Sequence, residues 1–388
     1  MPSSQSTSRT RSKSTNTLGE STVKTSHRKS SAYHRDFEQH LIDHGIYPNS
    51  RTQKPHNWDE IQHKMTQPRP SLSPSKFSDG AFETFRQANE EALTEAMVMR
   101  KPFPTISGDA DIPSAGELPF GNLEPLTDGT LVDAKPDFYD GARPAQIDRQ
   151  IRAELGSYIT PSTQQQAPAL PNFFTEAKGP DGSAAVAKRQ ACYDGALGAR
   201  GMRSLQTYGA ENIKTIFDNN AYTITSTYHN GHLQMYTTHL TQLTDHENSP
   251  EYHMTQLNAF AMTGTAERFR EGASAFRNAR DWAKEQRDQM IAAANGKAIG
   301  MPRETSTLES SGQSMLSQST NDPAVLESET SADELTLEVS ANANHPHKRL
   351  KRVPEKHHSR SDPKRHSKKS SSRADRGPGR GASPSGNG

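Results

Sequence analysis

The chain has 388 residues, 30% hydrophobic and 23% charged, with a mean hydropathy of −0.92. That is too little apolar material for a core along the full length, so one domain of ordinary size between disordered ends is expected. Its single cysteine, Cys192, excludes an intrachain disulfide and a thiolate zinc site, and no apolar run approaches the ~20 residues of a membrane span.

Residues 1–30 are rich in Ser, Thr, Arg and Lys with almost nothing apolar, and read as a disordered tail. Nothing there resembles a signal-peptide core, so an intracellular protein is expected. Residues 31–75 open on a short helical pattern and continue through Pro-interrupted sequence, as an arm that packs on the domain. The domain itself is expected over 76–296. Ser78 or Asp79 caps a first helix over 80–100, in which Phe82, Phe85, Ala92, Ala96 and Met99 recur at helical spacing. Residues 103–130 read as Gly/Pro-rich loop. Leu131-Val132 and Phe138-Tyr139 suggest strand, with Asp140-Gly141 as a turn, and 145–155 reads as a short helix.

LPNFFTEAKG, residues 170–179, reads as a buried strand stopped by Gly179-Pro180. A helix opened by Ser183 follows, with Val186, Gln190, Tyr193 and Leu197 on one face. Two β-rich runs flank Asn230-Gly231, the preferred pair for a type I′ hairpin turn, in a register that sets Tyr228 against Leu233 and Ser226 against Met235. A long helix over 265–294 ends at Asn295-Gly296. The fold class is therefore α/β, a mixed central sheet flanked by helices. From 297 onward a second disordered tail is expected, acidic over 304–340 and basic over 345–373. Lys348-Arg349-Leu350-Lys351-Arg352 and Lys364-Arg365 with Lys368-Lys369 have the spacing of a bipartite nuclear-import signal. A nuclear location and an import receptor as partner follow from that pattern; a solvated charged tail is the plain alternative.

The opening question of chemistry is posed by Glu176 and Lys178, two apart on a strand and so on one face. Metal-assisted phosphodiester hydrolysis needs a divalent cation, which Mg²⁺ supplies with one or two carboxylate ligands, and a nearby lysine to orient water and offset charge. Asp137, in Lys135-Pro136-Asp137, and Glu176-Ala177-Lys178 offer that minimum set. The plain alternative is that Asp137 caps a turn and Glu176 pairs with Lys178 at the surface, for little stability.

The arrangement resembles the PD-(D/E)XK (restriction-endonuclease-like) nuclease superfamily, in which an aspartate and an E-x-K tripeptide on neighbouring strands hold the metal. The resemblance implies Asp137, Glu176, Lys178 and Gln190 as catalytic residues. Asp137, Glu176 and Glu95 would be ligands of Mg²⁺ (or Mn²⁺), with Glu91 as the alternative to Glu95. Gln190 matches the first position of a helical Q-x-x-x-Y motif, but the tyrosine is Tyr193, one position early, and position 194 is Asp. The phrases KPDFYDGARP, LPNFFTEAKGPDG, AVAKRQACYDGALGARGM and TYHNGHLQMYTTH further resemble a functionally uncharacterised domain family of filamentous fungi. That family brings no activity with it. Asp133-Ala134-Lys135 and Asp362-Pro363-Lys364 also match D-x-K, and are taken as chance.

The histidines near the hairpin, His229, His232, His239, His246 and His253, are read as exposed polar strand positions, because a closed metal site wants about four ligands and no H-x-x-x-H helix adjoins them. Cys192 reads as a small inert residue. Gly195, Gly198 and Gly201 read as close packing or a kink rather than a phosphate cradle. The expected function is a metal-dependent nuclease-like protein cleaving DNA or RNA. The alternatives are a non-catalytic nuclear binding or scaffold protein, and a DNA-binding protein acting through its basic tail. Oligomeric state is open at this level.

Overall fold

Ten consecutive residues, Ala169–Lys178, form β4, and all of them are buried. This strand is central because apolar side chains leave it on both faces. Phe173 packs edge-on against Phe276, with ring centroids 5.1 Å apart, while the adjacent Phe174 turns the other way toward Phe120. The computed structural model describes residues 29–50, 53–210, 217–242 and 250–300. The tails expected over 1–30 and 297–388 lie almost wholly outside the described residues, as does His246.

Beside β4 run β5 (Ala221–His229), parallel, and β3 (Phe138–Ala142), antiparallel. Asn230 and Gly231, at φ 48° and 73°, adopt the paired left-handed conformation of a type I′ turn and send β5 back as β6 (His232–Thr241). Tyr228 faces Leu233 and Ser226 faces Met235, the register expected from the sequence. β7 (Glu251–Ala261) pairs antiparallel with β6, β1 (Ile46–Tyr47) is parallel to β7, and β2 (Ser114–Ala115) is antiparallel to β3. The seven-stranded order is β1-β7-β6-β5-β4-β3-β2.

Helix α8 (Ala184–Gln206) covers one face, its Val186, Cys192 and Leu197 clustering with Phe174 and Tyr236. Helix α9 (Ala266–Gly300) covers the other, where Phe269, Phe276 and Ala283 cluster with Phe173, Ile224 and Tyr228. The arm contributes α1 (Phe37–Asp43), β1 and α2 (Trp58–Met65): Leu41 joins the α8 side, and Ile61 and Met65 the α9 side.

Several expectations need correction. The single helix over 80–100 is two, α3 (Asp79–Glu90) and α4 (Glu95–Arg100). Ser78 caps the first as expected, but Thr94 Oγ1 accepts from Met97 N at 3.3 Å and starts a second helix. The 103–130 stretch is not all loop, since it holds α5 (Phe103–Ser107) and β2. Asp140-Gly141 is no turn but the middle of β3, and the 145–155 helix is a 3-10 turn, Pro144–Gln146, followed by α6 (Arg149–Glu154), with α7 (Gly156–Ile159) just beyond it. Strand β7 is not read from the sequence, because a bulge at its own Leu257, opposite Met235 and Tyr236 of β6, and an exposed outer half blur its alternation. Helix α9 runs through Asn295-Gly296: Asn295 Oδ1 accepts from Asp148 N (2.9 Å) and its Nδ2 donates to Gln146 O (2.8 Å), so tertiary contacts hold the last turns in place.

The α8 glycines mark close packing. A Cβ on Gly195 would lie 2.5 Å from Thr238 Oγ1, and one on Gly198 2.7 Å from the Phe174 ring. By contrast, nothing stands within 4 Å of a Cβ on Gly296. Gly296→Ala is therefore expected to raise stability by about 1 kcal/mol through helix propensity. Gly195→Ala gains the same propensity but is expected to lower stability by about 1–3 kcal/mol, since a tightly packed wall cannot yield. Urea unfolding of both variants checks this pair, and a stabilised Gly195→Ala would mean that α8 stands off the sheet.

Candidate active site

The C-terminal end of β4 carries Glu176 and Lys178 into a position that side chains from three other segments also reach. Gly179 lets this happen: a Cβ there would sit 3.1 Å from Thr94 and Glu95 backbone atoms, so the strand end lies directly against the start of α4. The break between α3 and α4 thereby acquires a role, because it aims Glu95 at Lys178. Lys178 Nζ donates to Glu95 Oε2 at 2.7 Å and lies 3.9 Å from both Asp137 Oδ2 and Glu176 Oε2. Asp137, just before β3, is anchored across the antiparallel pair, its Oδ2 accepting from Ala177 N at 2.6 Å. The Lys178 and Glu176 side chains are only 2% and 1% exposed, which rules out a surface ion pair. Asp137 is no simple turn cap either.

Of the predicted residues, Asp137, Glu176, Lys178 and Glu95 are brought together. Glu91 is not: it is exposed and pairs with Lys101 at 3.1 Å. Gln190 lies on α8 with a buried Oε1 that lacks a hydrogen-bond donor. Tyr193 turns away, its ring edge-on to Phe37 at 6.4 Å.

Sequence reasoning missed three members. Asp194 stands one helical turn after Gln190 on the same face of α8 and shares a hydrogen bond with Glu176; its i, i+4 spacing from Gln190 was the available signal. Glu117 arrives because β2 lays residues 114–117 over Asp137, so closely that a Cβ on Gly116 would fall 2.1 Å from Asp137 O. Glu117 itself is left-handed at φ 58°, and one oxygen each from Glu95, Glu117 and Asp137 lie within 4.8 Å of one another. No motif in the Gly/Pro-rich stretch announces it. Lys135, set aside as part of a chance D-x-K match, pairs with Glu117 at 2.9 Å on the open side of the cluster.

Electrostatics at this site are dominated by burial. It pushes the Asp137 carboxyl well above the usual range, Lys178 pulling it back and Glu95 pushing it further. Glu176 is likewise raised well above its usual value, by burial and then by the charges of Asp137 and Asp194. Burial lifts Asp194 to about 7, against the opposing hydrogen bond from Glu176 and the charge of Lys178. Burial alone would lower Lys178, but Asp137, Glu176 and Glu95 together outweigh it and hold the ammonium charged. Four carboxyls thus share one buried cation, and charge balance requires protons or a further positive ion.

The donor set fits such an ion. It is all oxygen, the set Mg²⁺, Mn²⁺ and Ca²⁺ prefer. Glu176 Oε2, Asp194 Oδ2 and Gln190 Oε1 are buried acceptor atoms without a hydrogen-bond donor among the described residues. Asp137 and Glu95, with Glu117 added by the fold, are the side chains that would hold it; Glu176, expected as a ligand, stands 3.9 Å from Lys178 Nζ and is not one of that close group.

Elsewhere, His239 and His253 are not exposed: they are 1% and 7% accessible and directly paired between β6 and β7. His229 and His232 face each other beside the turn and remain partly or fully exposed, as expected. Cys192 is buried, and that burial pushes its thiol up, consistent with an inert residue.

These features define an α/β protein with a buried carboxylate–lysine centre at the end of its central strand. The chain belongs to the family of a domain of unknown function, DUF7924, which it matches over residues 1–294, arm included. No curated protein and no solved structure matches it.

Proposed function

We propose that the chain is a metal-dependent nuclease of PD-(D/E)XK type, cleaving phosphodiesters in DNA or RNA. The observation that carries this reading is the convergence on Lys178 Nζ of Glu95, Asp137 and Glu176, from a helix, the lead into β3 and the end of β4. When bound, a divalent cation supplies phosphate polarisation and hydroxide near neutral pH. The chain's own residues do the remainder. Asp137 and Glu176 present fixed oxygens, Lys178 holds three carboxylates to one point and orients water beside them, and Glu95 fixes the lysine. Gln190 and Asp194 line the α8 side. Substrate would approach past Lys135 and Glu117, whose side chains are 35% and 58% exposed.

Purified full chain is expected to cleave single- or double-stranded DNA or RNA in the presence of Mg²⁺ or Mn²⁺. Lys178→Ala and the near-isosteric Glu176→Gln are each expected to lower the rate by roughly 10²–10³-fold, the usual loss of one charge-stabilising group. Cleavage unchanged in Glu176→Gln would remove the site from the mechanism.

A second reading is a non-catalytic binding or scaffold protein. It is favoured by the same burial: Lys178 is 2% exposed, and the 114–117 segment lies over Asp137. Cation binding without cleavage of any nucleic acid, from folded protein, would select it. A nuclear location rests on the basic segment over 345–373, outside the described residues.

A further inference from the structure

His40-Leu41-Ile42-Asp43-His44 is an H-x-x-x-H run that the sequence reading passed over, and the fold places it beside Asp128. We propose that His40, His44 and Asp128 form a binding site for a divalent transition cation of the zinc class, which pins the N-terminal arm to the loop leading toward Asp137.

The two imidazoles stand one turn apart at the end of α1, with ring centroids 4.4 Å apart. His44 Nδ1 lies 2.8 Å from His40 O, a contact that places the ring proton on Nδ1 and leaves Nε2 with its lone pair. His40 Nε2 is buried and lies 3.3 Å from Asp128 Oδ1, yet it makes no hydrogen bond. Asp128 is itself held in place, its Oδ1 accepting from Thr130 N (3.1 Å) and Thr130 Oγ1 (2.6 Å). One donor atom from each of the three residues lies within 4.8 Å of the others. Two imidazoles one turn apart, one with a buried Nε2 that makes no hydrogen bond, and a carboxylate oriented by its own hydrogen bonds are what a ligand set needs before a metal arrives.

The donor chemistry separates this site from the one proposed above. Imidazole nitrogen with one carboxylate suits zinc and its neighbours, whereas Mg²⁺ takes an all-oxygen set. Its place in the fold indicates what it does. Leu41 of α1 is fully buried with Leu123 and Leu131 nearby in the same cluster, and Ser30 N donates to Thr130 O at 2.8 Å. Arm and loop already touch there, and a shared cation would lock them. Three protein ligands leave a position for water, so the site is a clamp with an exchangeable ligand.

The test is calorimetric titration of Zn²⁺ into the full chain at pH 7.5 with excess Mg²⁺ present, together with melting temperatures with and without Zn²⁺. Wild type is expected to bind one Zn²⁺ beyond any taken by the C-terminal histidines, and to melt higher when loaded. Asp128→Asn keeps an acceptor for Thr130, and His44→Phe keeps the ring against His40. Each is expected to weaken binding by at least about tenfold and to lose the zinc-dependent rise in melting temperature. Equal zinc affinity and equal melting shift in wild type and Asp128→Asn would overturn the proposal, as would no melting shift in wild type. Circular dichroism of the apo variants confirms that they fold.

Discussion

Arg280→Met lowers the stability of the domain by about 3–5 kcal/mol, the expected cost of leaving a buried charge without its partner. Arg280, on α9, grips Asp140 of β3 with two parallel hydrogen bonds, Nε to Oδ2 at 2.8 Å and Nη2 to Oδ1 at 2.9 Å. Both side chains are buried, at 4% and 0% exposure, and a third donor, Nη1, satisfies Ser107 O at 3.0 Å. Methionine matches the stem but supplies none of these donors. Burial already pushes the Asp140 carboxyl up against the pull of Arg280, so without the guanidinium it must take a proton or remain an uncompensated charge. Against a total of about 5–15 kcal/mol for a domain, that loss is large enough to unfold a sizeable fraction at physiological temperature. The companion variant Arg280→Met/Asp140→Leu removes both charges and is expected to regain much of the stability, because replacing a whole buried pair by apolar groups is often neutral. Urea unfolding of the three proteins decides it. A single variant within about 1 kcal/mol of wild type would mean that Arg287, whose charge also acts on Asp140, takes over the pairing.

The second large effect is a pH dependence set by His239. Its imidazole is held down to about 4, first by burial and then by the charges of His253 and His56. The rings of His239 and His253 are 5.4 Å apart, Tyr47 stacks on His253 at 5.0 Å, and Glu251 approaches His253 Nε2 at 3.3 Å. A histidine with a depressed folded pKa costs the native state nothing above its ordinary value of 6.5. Below that value the unfolded chain binds a proton that the folded chain refuses, so stability falls as pH drops from 6.5 toward 4. The integrated loss is about 3 kcal/mol. The raised carboxyls of the candidate site act in the opposite sense, favouring the fold at low pH, so the informative quantity is a difference. Wild type minus His239→Gln, measured by urea unfolding at pH 7.5 and 4.5, is expected to change by about that amount. No change would place the proton on His253 instead.

How far these features could be foreseen depends on their range along the chain. Ser78, Ser183 and Asn230-Gly231 act on neighbours within four residues, and the helix starts and hairpin register expected from them are those observed. Glu176 and Lys178 were legible because a fully buried strand has no reason to end in two charges unless something meets them. Asp194 was legible in principle as the residue four after Gln190, and His40 with His44 by the same spacing.

What the residue order could not disclose is which distant segments meet. Glu117 is twenty residues before Asp137 in a stretch without periodicity, and only the β2–β3 pairing and a left-handed backbone bring its carboxylate to the cluster. The partner of Asp140 lies on α9, far along the chain, and a local reading turned that aspartate into a turn residue. His239 and His253 looked polar and exposed because a sheet's edge or centre is a property of strand order: β7 sets His253 against His239, and Tyr47 of β1 stacks on His253. Local chemistry along this chain determined helix caps, the hairpin and the charged end of its central strand. The buried charges and their partners were decided by tertiary packing, since the cost of burying a charge depends on what surrounds it, and that is set by residues distant in the chain, 83 positions for Glu95 and Lys178 and 140 for Asp140 and Arg280.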